Sequence, residues 1–216
     1  MFARLAALVC LLLVCASLTL SETVGPRTGE LNVYLRPASN LSPAVAQWMK
    51  EESTLLMRSA GYQLRWLDPS QRPDVSGTSL IVVELNGTCA PSDRPSRPVD
   101  AGRLASTMVT DGTILPFVSV DCTALQKALA SAMDHEPRGR RDFLYGRAMG
   151  RVLAHEMYHV ESQTRKHSRQ GVAESGVSAA QLVSERFEFS QDALARLQVS
   201  VPEADDDFYT EDTAGR

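Results

Sequence analysis

Apolar and polar residues alternate over positions 31–35 and stop before Pro37, the period of a half-buried strand. Ser42-Pro43 then offers a helix cap followed by proline at the first helical position. Val45, Trp48, Met49, Leu55 and Leu56 fall on one helical face as far as Gly61. The period returns to two at positions 63–67, and residues 80–85 make an apolar run that ends in an Asn86-Gly87 turn, as a buried strand requires. Pro91, Pro95 and Pro98 mark residues 90–102 as an exposed loop, while strands over 107–110 and 114–120 flank an Asp111-Gly112 hairpin turn. A short helix is predicted over 124–133. A longer one begins at Asp142, its apolar face formed by Phe143, Met149, Val152, Leu153, Met157 and Val160, and a last helix is predicted over 178–197. Strands and helices in this order predict an α/β (α+β) fold, a mixed sheet with packed helices, as one domain over residues 28–200.

The two ends of the chain do not follow these periods. Arg4 precedes an almost wholly apolar run from Leu5 to Leu20, which reads as a secretory signal peptide over residues 1–21; the run is too short, and lacks the basic flank, for a membrane anchor. Residues 201–216 are acidic and polar and read as a flexible tail. Export bears on the cysteines: Cys10 and Cys15 belong to the leader, which leaves Cys89 and Cys122 to form one disulfide in an oxidising, extracellular or periplasmic setting. The hydrophobic share of 44% and charged share of 22% exclude a disordered chain. A formal charge of −4, more negative once Arg4 is removed, argues against a nucleic-acid partner.

Residues 155–159 read His-Glu-Met-Tyr-His. Four residues apart on a helix, His155 and His159 project from the same face and can share one tetrahedral Zn2+, while Glu156 beside them can act as base on a water at that ion. A shift of one residue would swing either ring about 100° around the axis, so the spacing is itself the chemical requirement. In a chain with only four histidines the pattern arises by chance well under ~1% of the time. His135, near Pro137, is read as an ordinary surface residue.

A catalytic zinc takes three protein ligands and keeps one position open. His167 is the leading third ligand, with Glu174 and Glu185 as alternatives. On an unbroken helix His167 would lie about 12 Å further along the axis than His159. His167 can therefore serve only if the helix ends near residues 162–164 and the chain folds back, although no glycine marks that break.

Residues 152–167 resemble the active-site helix of the metzincin-like zinc metallopeptidases, in a variant with seven residues before the third histidine. The approach from Gly112 to Cys122 and the stretch His167-Ser-Arg-Gln-Gly171-Val resemble small secreted bacterial proteins of that group. The resemblance covers about half the chain. It implies a zincin-like fold, one catalytic Zn2+ on His155, His159 and His167, and hydrolysis of a peptide or protein substrate with Glu156 as general base. Two positions depart from the pattern: Ser162 stands where a glycine is usual, and no methionine follows Met157, so Ala173 takes the turn after Gly171. Tyr158 is read as packed, with Tyr145 or Tyr158 as lesser candidates for assisting an oxyanion. The alternative to a secreted peptidase is a secreted zinc-binding or catalytically weak interaction module, in which Glu156 would have no purpose.

Overall fold

The computed structural model describes residues 29–36, 40–67, 79–92 and 102–199. The leader expected over 1–21, the tail expected over 201–216 and most of the 90–102 loop lie outside the described residues. Strand β1 (Gly29–Leu35) is followed by helix α1 (Pro43–Ser59), β2 (Tyr62–Leu67), β3 (Ser79–Asn86), the hairpin β4 (Ala105–Thr110) and β5 (Thr113–Asp121), and helix α2 (Cys122–Leu129). A single 3₁₀ turn (Ser131–Met133) precedes the long helix α3 (Arg138–Ser162), and two short helices, α4 (Ala179–Val183) and α5 (Gln191–Val199), complete the order.

The strands form one mixed sheet in the order β2-β1-β3-β5-β4, with every neighbouring pair parallel except the antiparallel β4–β5 hairpin at the edge. This is the mixed α/β architecture expected. Leu31, Val33, Ile81, Val83, Val118 and Val120 point to one side and are buried, which is where period two over these strands places them. Helices α1 and α3 supply the facing layer, through Val45, Met49, Leu56 and Met57 on one and Leu144, Met149, Leu153 and Met157 on the other. Their backbones approach closely at two glycines. A Cβ on Gly146 would lie 2.8 Å from the Val45 carbonyl oxygen, and one on Gly150 only 2.6 Å from that of Met49, so only glycine fits.

The cap predicted at Ser42 forms, its hydroxyl accepting from the Val45 N–H at 3.2 Å. Cys89, just beyond β3, is bonded to Cys122 at the first residue of α2, which ties the parallel centre of the sheet to the chain entering α3. Helix α3 starts at Arg138, four residues before Asp142, because Pro137 in an extended conformation leads directly into it. The single helix expected over 178–197 is two. Ser178 and Gln181 form a reciprocal cap on α4, but Ser184 leaves the helical region at ψ 161°, and the chain runs without helix to Ser190. Among the described residues, no helix is long and apolar enough to cross a membrane.

Candidate metal centre

Helix α3 carries the site in its last two turns. His155, Glu156 and His159 lie in register there, and the helix stops at Ser162 because Gln163 turns into the left-handed region at φ 46°. The break required by the position of His167 therefore exists, made by a non-glycine residue. Its side chain helps to hold that conformation: Gln163 Nε2 donates to the Val160 carbonyl at 2.7 Å and to that of Ile114 at 3.3 Å. The chain then returns along the helix. The imidazole nitrogens of His155, His159 and His167 come within 4.8 Å of one another, close enough to hold one metal ion.

The Nε2 atoms of His155 and His159 are 3.1 Å apart, and those of His159 and His167 3.2 Å apart. Three nitrogens around a tetrahedral zinc at about 2.05 Å would stand about 3.3 Å from one another. The other ring nitrogens explain why these distances mean more than proximity. His155 Nδ1 lies 2.7 Å from the Val172 carbonyl and His159 Nδ1 2.7 Å from that of Thr164. A carbonyl only accepts, so both Nδ1 atoms carry the proton, and in the neutral rings both Nε2 atoms present bare lone pairs. Burial, reinforced by the neighbouring His159, pushes His155 down to about 4, so that ring is neutral at pH 7. Partial burial first, then His159, also lowers His167. Facing lone pairs repel, and a shared cation is what relieves them; the donor set fits a divalent ion.

Glu156 is buried beside this cluster. Its Oε2 accepts from the Thr107 hydroxyl at 2.6 Å, which ties the carboxylate to the edge strand β4. Burial raises its pKa above the ordinary carboxylate value, while the Thr107 hydrogen bond, His159 and Arg103 each pull it back. A cleft of about 700 Å³ opens over these groups. Its walls are β4, the start of the Gly171–Gly176 turn and α4, and it includes all three histidines and Glu156. Arg103 and Arg165 line it as well.

The alternative ligands stand elsewhere. Glu174 lines the cleft, but its Oε2 accepts from Gln181 Nε2 at 2.9 Å and it is not part of the close set, and Glu185 is exposed between α4 and α5. Ala173 is buried one residue after the carbonyl that holds His155. The turn before it requires Gly171 at φ 79°, where a Cβ would lie 2.2 Å from the Glu188 carbonyl oxygen. Neither tyrosine reaches the cleft. Tyr145 donates to the Cys122 carbonyl at 2.8 Å and Tyr158 to that of Lys166 at 3.1 Å, and both are buried. His135 is exposed beside Asp134. Thr107 and the carbonyls of Thr164 and Val172 were not recognisable as site groups in the sequence, since a strand threonine and a main-chain oxygen leave no pattern. No protein-family model matches the chain, and no curated protein is significantly similar to it.

Proposed function

We propose that the chain is an exported, zincin-like zinc metallopeptidase, with His155, His159 and His167 holding one Zn2+ and Glu156 as general base. The observation that carries this reading is the pair of Nε2 atoms 3.1 Å apart, each with its ring's Nδ1 held by a carbonyl, beside a buried carboxylate. Three imidazoles with no sulfur and no fourth protein ligand among the described residues suit zinc in a site that keeps one position open. The bound ion would polarise a substrate carbonyl and make a water molecule acidic enough to lose a proton near neutral pH.

The chain's own groups account for the remaining work. The carbonyls of Val172 and Thr164 fix the tautomer and direction of His155 and His159, the second-layer support that such ligands need. Thr107 holds Oε2 of Glu156, leaving Oε1 to accept a proton from water and to return it to the leaving amine. Burial favours the protonated carboxyl, which assists that return. Substrate class follows from the wall of the cleft. Strand β4 is the edge of the sheet among the described residues, and an edge offers an extended peptide main-chain donors and acceptors along its length.

Metal analysis of the purified chain, together with hydrolysis of a mixed peptide pool by the wild type and Glu156→Gln, tests the proposal. Expected are about one zinc per chain in both proteins and hydrolysis by the wild type alone, with the variant at least ~10²-fold slower. Zinc in both with hydrolysis in neither would instead favour a binding module. A folded chain that takes up no zinc rejects the metal centre.

A further inference from the structure

His167 is the one member of the cluster outside regular helix, and it is exposed; something other than α3 must hold its ring beside the other two. The groups that do so form a closed ring. Tyr158, fully buried on α3, donates its hydroxyl proton to the carbonyl of Lys166 at 3.1 Å. Arg196 on α5 donates from Nη1 to the oxygen of that hydroxyl at 3.0 Å. Its Nη2 lies 3.4 Å from Asp192 Oδ2 one turn earlier on α5. The same Oδ2 accepts from the Ser168 hydroxyl at 2.9 Å, and the Ser168 N–H donates to the Ala173 carbonyl at 2.8 Å. Lys166 and Ser168, the residues on either side of His167, are thus both tied down.

The direction of each bond is fixed by chemistry. A guanidinium only donates and a carboxylate only accepts. The single proton of Tyr158 is therefore free to go to Lys166, and Arg196 makes it a stronger donor by polarising the hydroxyl. Ser190, at the start of α5, completes the carboxylate's set by donating to Asp192 Oδ1 at 2.5 Å. The docking of α5 and the conformation of residues 166–168 are consequently one arrangement. From this geometry we infer that Asp192 and Arg196 are positioning residues for the third metal ligand: acting through Ser168 and Tyr158, they hold His167 where the ion needs it. This rests on the proposed metal centre for its purpose, but not for its geometry.

The experiment uses the full chain with Asp192→Asn and Tyr158→Phe, and with Ser168→Ala as a variant that deletes only one hydroxyl should either of the others fold poorly. Zinc affinity is measured by chelator competition, and amide exchange is followed in the metal-free protein. Each variant is expected to bind zinc about 10-fold or more weakly, the usual scale for groups that orient ligands, and to speed exchange of the Ser168 amide. In a His167→Ala background Asp192→Asn should cause no further loss, because the ligand it positions is gone. A purely structural role predicts the same loss in both backgrounds, and that result, or unchanged affinity with unchanged exchange, overturns the inference. A wild type that binds no zinc while the variants still loosen Ser168 sinks the metal centre and leaves the positioning of His167 supported.

Discussion

Along α3, the seam with α1 and the seam with the returning loop and α5 are built from different interactions. Against α1, contact is close and apolar, with Gly146 and Gly150 letting the two backbones meet. Glu52 bridges it to two arginines: buried Arg151 donates to Glu52 at 2.6 Å and spans to α4 through the Gln181 carbonyl at 2.8 Å, and Arg147 Nε lies 3.7 Å from the same carboxylate. Against the loop and α5, single hydrogen bonds to main chain and, from Arg196 to Tyr158, between side chains, each modest in net worth, accompany the ring contact of Tyr158 with Phe189. The first seam has the interactions that set global stability; the second has those that set geometry around the histidines. For the proposed metal centre in the last turns of α3, that division lets hydrogen bonds orient residues 163–168 while Val172 and Ala173 anchor the loop in the core.

The division is broken most severely at Glu52. Glu52→Ala leaves the Arg151 guanidinium, 2% exposed, without its counter-charge, and breaking a buried pair in this way costs about 3–5 kcal/mol. The loss should appear in chemical unfolding, with zinc affinity of the remaining folded protein unchanged; a loss below about 1 kcal/mol would mean that Gln181 and Ser184 satisfy the arginine by themselves. Gly150→Ala comes next. Its methyl group would press on the Met49 carbonyl, and overpacking of this kind costs about 1–3 kcal/mol, partly offset by about 1 kcal/mol of helix propensity. Again only stability should fall.

Glu161 tests the other seam. Burial raises its carboxyl to about 7, and it sits near Tyr62, whose hydroxyl donates to the Leu197 carbonyl of α5 at 3.1 Å. A folded-state pKa above the unfolded value means that the folded state holds the proton more tightly. Its contribution is full below about 4.5 and is lost as pH rises through 7. Glu161→Gln should therefore be more stable than the wild type at pH 8, on the order of 1–2 kcal/mol after discounting for partial solvent access, and no more stable at pH 5. Equal curves at both values would show that water reaches the carboxylate.

The two seams also differ in how much of them the sequence discloses. Periodicity placed the strands, α1 and the apolar face of α3, because burial on one side enforces a repeat that composition records. The spacing of His155 and His159 disclosed the candidate metal-ligand cluster for the same reason, since one helical face imposes it. His167 was reachable only by requiring a break, and the residue that makes the break, Gln163, has no special propensity for the left-handed region that would announce it. The four-residue interval between Gly146 and Gly150 was a readable sign of close helix approach that the apolar pattern alone did not supply. Asp192, Arg196 and Thr107 were not readable at all: each reaches a partner 24 to 49 positions away, and nothing local distinguishes them from surface polar residues. The split of 178–197 into α4 and α5 belongs to this group. Apolar positions 182, 187, 193 and 197 tolerate one helix or two, and the non-helical stretch between them is held by Val172 donating to the Glu188 carbonyl at 3.0 Å.

The smallest expected effect concerns the open side of the loop seam, where α3 faces the cleft. Arg103 stands just before β4, at the end where Ala105 pairs with Val120; Arg165 follows the break after α3, at the end where Gln163 reaches Ile114. The two cations thus flank the histidines from opposite ends of the cleft, with Arg103 acting also on Glu156. In a chain of net charge −4, such a placement would, under the proposed function, favour peptides bearing acidic side chains on both sides of the cleaved bond. Exposed charges of this kind contribute only about 0.2–1 kcal/mol each and are screened by salt. Arg165→Gln should lower kcat/KM for a diacidic peptide by no more than about fivefold at low salt, and hardly at all for its amide counterpart, with the difference fading at about 0.5 M salt. Arg103→Gln also removes a charge that acts on Glu156 and should add a change common to both peptides. Equal losses on both peptides from Arg165→Gln would mean that Arg165 shapes the loop seam instead of reading charge, and it would then belong with Asp192 and Arg196 as part of what orients the site.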